Sequence, residues 1–175
     1  MTSSRDDESS MEIGGRGVFT SLLIEALDGG AANIQGDITP GSIYAFIDQA
    51  LGAWEQRPLF KTNIQKFVSI RSVVPRISLD ELRVLSECFA SPYVEMKLDP
   101  SFEFTNTSDV QHKVIEPCAK EENVQIFKKL QKLESVGLIE PVGEEHMYFA
   151  AMNSKGCKLT TLGQYYWKLL SEKRI

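Results

Sequence analysis

At 175 residues and 19.6 kDa, the chain has room for one ordinary domain or two small ones. Its 42% hydrophobic and 25% charged residues exclude a chain disordered throughout. The 24 Asp plus Glu against 19 Lys plus Arg, a net charge of −5, argue against a coat for nucleic acid or anionic lipid, which is driven by excess positive charge. Cys88, Cys118 and Cys157 are widely spaced without a CxxC pair, a pattern that suits reduced thiols rather than a disulfide framework. No apolar run approaches the roughly 20 residues of a membrane helix. The polar, acidic opening through Glu8 lacks the apolar heart of a secretory signal. The expectation is a cytoplasmic protein with no membrane partner.

In chain order, the first half reads as α/β. Val18, Phe19, Leu22, Leu23, Ala26 and Leu27 share one helical face over 17–27, and Gly29-Gly30 stops that helix. Thr39 is a candidate N-cap with Pro40 at the first helical position, ahead of an apolar face of Ile43, Phe46, Ile47 and Leu51. Alternation over 66–70 (Lys-Phe-Val-Ser-Ile) predicts a strand, and 71–76, with Pro75, reads as a linker. Beyond it the character changes. Ser78 and Glu81 have capping-box spacing, and Leu79, Leu82, Leu85 and Phe89 continue as a helical stripe. An irregular stretch broken by Pro92, Pro100, Asn106 and Pro117 precedes a strong amphipathic helix of Val124, Phe127, Leu130, Leu133 and Val136, closed by Gly137. Residues 138–142 and 146–151 are expected as two strands around the turn Gly143-Glu144-Glu145. A third short strand, 157–159, leads through Thr160 or Thr161 into a last helix with Leu162, Tyr165, Tyr166, Leu169 and Leu170. Helix, hairpin, then a step into a final helix is the order of a winged helix.

The chain holds few reactive groups. A cysteine nucleophile needs a nearby base, usually His, to hold it as thiolate. His112 and His146 share the second half with all three cysteines, but no strained or glycine-rich turn surrounds any thiol. Cys88, at helical spacing beside Leu85 and Phe89, reads as a core residue. His146 reads as a solvated or packed side chain. Metal-ligand spacing is absent, with no HxxxH and no paired cysteines, and no cofactor is expected. The acidic run Asp6-Asp7-Glu8 has two readings: a solvated terminus, or the floor of a pocket for a basic side chain. A buried carboxylate facing Arg or Lys discriminates strongly, since a neutral ligand leaves it unpaired.

The order of several motifs brings in a family. Residues 2–12 (TSSRDDESSME), then Gly17-Val18-Phe19-Thr20, then Gly36-Asp37-Ile38-Thr39-Pro40-Gly41-Ser42-Ile43-Tyr44, then Arg57-Pro58-Leu59-Phe60-Lys61 and the strand through Phe67 resemble the caspase and metacaspase clan of cysteine peptidases. The resemblance covers about residues 2–76. It implies an α/β fold class: the C-terminal part of a caspase-like α/β/α sandwich over 1–76, followed by a small α+β winged-helix-like domain over 77–175. The clan's catalytic His and its Asp-x-Cys nucleophile precede the matched region, so the resemblance implies no catalytic residue in this chain. Instead it implies a small-subunit part of a cysteine endopeptidase whose partner is a polypeptide carrying the Cys/His half. In metacaspase-like members the acidic residues after this strand shape a pocket for the Arg or Lys before the scissile bond of a peptide or protein substrate. By motif, Asp6 takes that role with Asp7 beside it, and Glu8 stands where many relatives have Gln. True caspases use basic residues there. The calcium-binding carboxylates of some metacaspases have no counterpart. Residues 1–76 are thus expected to be an incomplete folding unit that borrows β-structure from another polypeptide.

The winged-helix order raises DNA binding, for which Lys128, Lys129 and Lys132 are the best argument. Against it, residues 77–175 carry 12 Lys plus Arg and 15 Asp plus Glu, and the expected wing holds Glu140, Glu144 and Glu145 where phosphates would lie. A protein-interaction or regulatory module fits better, with Met147, Tyr148, Phe149, Met152, Tyr165, Tyr166 and Trp167 as contact-surface candidates. Two alternatives to the peptidase reading stay open: a non-catalytic regulatory module on a degenerate caspase scaffold, and a winged-helix DNA-binding regulator.

Overall fold

The structure, a computed structural model, describes residues 1–2, 12–13, 16–51, 58–63, 68–108 and 114–175. The chain is mixed α/β and divides into two compact units, Met1–Arg76 and Ile77–Ile175.

In the first unit β1 (Glu12–Ile13) and β2 (Arg16–Gly17) pair antiparallel and lead directly into α1 (Val18–Glu25). A π-helical turn, Ala26–Gly30, continues α1 until Gly29, at φ 126°, leaves the helical region. That conformation suits glycine, which carries no Cβ to clash. β3 (Asp37–Ile38) follows, then α2 (Pro40–Leu51). The start of α2 is fixed by its sequence: Ser42 N–H donates to Thr39 Oγ1 at 3.1 Å, and Thr39 N–H donates to Ser42 Oγ at 2.9 Å. This reciprocal pair satisfies two amides that a helix start otherwise leaves open. Ile43, Ile47 and Leu51, four residues apart, are buried with Ala26, Ala31 and Ile38, and Val18, Phe19, Leu22, Leu23, Leu27 and Phe46 pack against that cluster. Each such side chain contributes about 1.5–3 kcal/mol on full burial, so the core is what holds the two helices together.

The strand expected over 66–70 differs from what is found. Lys66 and Phe67 lie outside the described residues, and Val68 to Ile70 form no ladder of their own. Pairing begins just after, where β4 (Arg71–Ser72) lies antiparallel to β3 with Ile38 opposite Arg71. Part of the expected linker is therefore strand. Ile70 N–H reaches the Ile38 carbonyl at 2.9 Å and Val73 N–H the Gly36 carbonyl at 2.8 Å, so the backbone follows β3 on both sides of β4.

The second unit opens with α3 (Leu79–Cys88), whose capping box is complete: Ser78 Oγ accepts from Glu81 N–H, and the Glu81 carboxylate accepts from Ser78 N–H at 2.7 Å. β5 (Met96–Lys97) and a 3-10 turn, Pro100–Phe102, precede α4 (Glu121–Ser135), which buries Val124, Phe127, Leu130 and Leu133. β6 (Ile139–Val142), α5 (Met147–Met152), β7 (Gly156–Leu159) and α6 (Thr161–Ser171) complete it. The sheet is antiparallel in the order β5-β7-β6. Pro141 sits in β6 at the sheet edge, where a missing N–H is tolerated.

Two expectations are corrected here. Residues 146–151 are a helix, and β6 pairs instead with β7, Ile139 opposite Leu159 and Val142 opposite Gly156. The reason is spacing: Met147, Ala150 and Ala151 are the buried residues of α5, which is helical periodicity. On α6 the buried face is Gly163, Tyr166 and Leu169, while Leu162 and Tyr165 are exposed. Gly163 sits so close to the backbone just ahead of β6 that a Cβ there would lie 2.0 Å from the Leu138 carbonyl oxygen.

The irregular stretch before α4 is organised by Asn106, which is fully buried. Its Nδ2 donates toward the carbonyls of Pro100, Ile115 and Pro117 at 3.1, 2.7 and 3.1 Å, and its Oδ1 accepts from Ile115 N–H at 3.0 Å. The Asn106 carbonyl accepts from Ala119 N–H at 3.0 Å. One side chain thereby supplies hydrogen bonds that no helix or strand provides.

Candidate functional site

Asp6 and Asp7, the expected pocket residues, lie outside the described residues, as does Glu8 beside them. Around them in sequence, the structure brings several of the motif segments together. Thr2 and Leu59 form an antiparallel bridge, with N–H to carbonyl distances of 3.1 and 3.2 Å in the two directions. Thr2, at the head of the opening motif, is thus tied to Leu59. Phe60 of that segment stacks on Tyr44 of α2, ring centroids 5.2 Å apart and planes at 20°. Asp28, in the turn after α1, pairs with Arg71 of β4 at 3.2 Å, and Asp37 of β3 accepts from the Ser72 hydroxyl at 2.9 Å. Asn33 Oδ1 accepts from the amides of Gln35 and Asp37, which closes the turn leading into β3.

An apolar row is left on the outside of this unit. Val68 is 73% exposed, Ile70 56% and Val74 90%. Water contact at three branched residues this close in sequence forfeits most of the burial energy they carry. Alternation identifies Val68 and Ile70 as strand residues; the Ile70 amide does follow β3, yet both side chains stay in water.

None of the three thiols is disposed to act as a nucleophile. Burial pushes Cys157, on β7, up to about 12, with the charge of Cys88 adding to it. Burial likewise raises Cys88, on α3, and the nearby Glu87 carboxylate works in the same direction. Cys118 is exposed, and a hydrogen bond toward Glu116 raises its pKa. His112 lies outside the described residues, and His146 is exposed at the start of α5 with its ring 6.2 Å from Phe149. Among the described residues no cluster of three His, Cys, Asp or Glu side chains is placed to hold a metal ion. No helix among them is long and apolar enough to cross a membrane.

The aromatic candidates of the second unit divide. Met147 and Tyr166 are buried, and the half-buried Trp167 donates its indole N–H to the Phe89 carbonyl at 2.8 Å. Tyr148, Phe149 and Tyr165 face solvent, the first two edge-to-face at 5.2 Å. An open groove of about 530 Å³ is lined by Gly143, Glu144, Glu145 and Phe149. Of the acidic wing residues, Glu140 pairs across the sheet with Lys158 at 3.1 Å and Glu144 accepts from Asn153 at 2.9 Å. On α4, Lys128 and Lys129 are exposed, while Lys132 is held by Glu81 at 2.7 Å. Asn106 stands in the sequence only as a break in the irregular stretch; its role in tying that stretch together carries no periodic signal. No protein-family model, curated protein or solved structure matches the chain.

Proposed function

We propose that residues 1–76 are the small-subunit part of a caspase-like cysteine endopeptidase specific for Arg or Lys before the scissile bond, completed by a polypeptide segment that carries the catalytic Cys and His. The observation that carries this reading is the open row of Val68, Ile70 and Val74, close in sequence to the β4 that pairs with β3 beside the buried cluster of Ile38, Ile43, Ile47 and Leu51. A segment from outside residues 1–76 laid over this row takes that apolar surface out of water. The Thr2–Leu59 bridge and the Tyr44–Phe60 stack support the same reading, since they join motif segments far apart in sequence. In this enzyme the thiolate and imidazole act from the completing segment, and Asp6 with Asp7 receives the substrate's cation. The raised thiols of the present chain take no part in the chemistry.

The second unit is winged-helix-like in its strand order, with β7 between β5 and β6, although α5 replaces the simple hairpin. Its role is protein interaction. Exposed Tyr148, Phe149 and Tyr165 favour a protein partner, and the carboxylates beside the groove disfavour phosphate.

The test is co-expression of the chain with its Cys/His-bearing segment and assay on peptides differing only before the cut. Asp6→Ala is expected to lower the preference for Arg over a neutral residue by about 10- to 100-fold, the worth of a charged hydrogen bond. An unchanged preference moves the pocket elsewhere. A purified assembly with no thiol-dependent activity leaves the non-catalytic scaffold as the function.

A further inference from the structure

The segment joining β6 to β7 arranges an aromatic ring and two carboxylates around a single space. α5 turns Met147, Ala150 and Ala151 inward and leaves Phe149 46% exposed. Tyr148 packs edge-to-face on that ring at 5.2 Å, and the His146 ring lies 6.2 Å from it. Phe149 forms one wall of the open groove of about 530 Å³, with Gly143, Glu144 and Glu145 along the rest. Glu144 is half-buried and oriented by Asn153, whose Nδ2 donates to its Oε1 at 2.9 Å, and Glu145 is exposed. Among the described residues neither carboxylate pairs with a Lys or Arg, whereas Glu140, on the strand just before them, is neutralised by Lys158 at 3.1 Å. The groove thus offers an apolar wall and two uncompensated negative charges.

We propose that this groove docks a basic segment of a partner protein, with an Arg or Lys side chain laid along it between apolar neighbours. The inference rests on the protein-interaction role proposed for the second unit and names the chemistry of the partner. A volume of about 530 Å³ has room for such a side chain and part of its backbone. The apolar stem of Arg or Lys covers the Phe149 ring while its charged head reaches the carboxylates. The face of the ring draws the same cation. An acidic segment meets like charge here, and a neutral one leaves both carboxylates uncompensated. Strand addition is the poorer mode at this place. β6 is an edge strand, but Pro141 lacks the N–H that an added strand would need, and proline on an edge blunts such pairing. Capture of a side chain in the groove, with charge as the discriminator, is what the surface is built for.

The experiment titrates the full chain into fluorescein-labelled peptides of the frame Gly-Ala-Leu-X-X-Leu-Ala-Gly, where X-X is Arg-Arg, Gln-Gln or Glu-Glu, and reads fluorescence anisotropy. At low salt the Arg-Arg peptide is expected to bind about fivefold tighter than Gln-Gln, the worth of two exposed ion pairs, and Glu-Glu to bind most weakly. High salt is expected to shrink that difference. Glu144→Gln together with Glu145→Gln is expected to bring Arg-Arg to within about twofold of Gln-Gln, and Phe149→Ala to weaken all three peptides. An Arg-Arg preference that survives the double substitution places the cation elsewhere, and the inference is overturned. Absence of Arg-Arg binding overturns it too. Equal binding of the three peptides, lost in Phe149→Ala, overturns the charge preference while the protein-interaction role stands. A labelled DNA duplex bound ahead of every peptide overturns that role and this inference with it.

Discussion

Cys157 shows at the residue scale how burial alone sets chemistry. Its thiol is raised from 9.0 to about 12 because the charged form has no water around it. Below pH 9 the folded and unfolded chains both hold the proton, so the raised pKa costs nothing. Above it the unfolded chain loses the proton first, and folding stability falls as pH rises toward the folded value. The expected loss is about 2 kcal/mol by about pH 10.5 and about 4 kcal/mol at the folded pKa. Urea titrations at rising pH check this, with Cys157→Ala as the comparison; the variant is expected to lack that part of the alkaline slope. Equal slopes in both proteins would place the cause in another group. Asn106 makes a different point, because its value lies in what it satisfies. Asn106→Ala leaves the carbonyls of Pro100, Ile115 and Pro117 without its donors. It is expected to destabilise by about 2–4 kcal/mol in urea unfolding followed by circular dichroism.

Elements were legible where their determinants are local. Ser78 with Glu81, Thr39 with Pro40, and the pair Thr160 or Thr161 ahead of α6 mark their helix starts in three or four residues; all three starts form, the last with Thr160 as the cap. The stripe of α4 was equally plain, because Val124, Phe127, Leu130 and Leu133 repeat over nearly three turns. What failed was pairing. Aromatic residues in 146–151 favour strand, but the burial of Ala150 and Ala151 is decided by neighbours distant in sequence. The same holds for α6, whose exposed Leu162 and Tyr165 match the apolar pattern as well as its buried Tyr166 does. Of the candidate site, Cys88 was legible as a packed thiol from its helical spacing, whereas the burial of Cys157 and the exposure of Cys118 follow from neighbours distant in sequence. The approach of α6 to Leu138, just ahead of β6, also rests on a residue with no side chain. Gly163→Ala sets a Cβ against the Leu138 carbonyl, where neither backbone can yield without moving the helix. It is expected to cost about 1–3 kcal/mol in the urea midpoint, more than an alanine replacement at exposed Gln164 on the same helix.

For the whole molecule the question is which unit is complete. The second unit buries Leu85, Phe89, Phe127, Leu130, Leu133, Leu138 and Ile139 to no more than 2% exposure, and its open Tyr93, Phe104 and Tyr165 sit apart from one another in sequence, at turns and on a helix. The first leaves Val68, Ile70 and Val74 in water, and an apolar, strand-forming row of this kind recruits other chains. The chain by itself is therefore expected to associate as its concentration rises. Val68→Glu with Ile70→Glu places charges on the row without touching the buried cluster of Ile38, Ile43, Ile47 and Leu51. Charged residues on an open edge act against such pairing. Light scattering is expected to report less association for the doubly substituted chain, while co-purification with the Cys/His-bearing segment drops. The two readouts must move together, because one surface serves both. A double substitution that restores solubility and leaves assembly intact separates the apolar row from the partner, and the reading of residues 1–76 as an open half-fold falls.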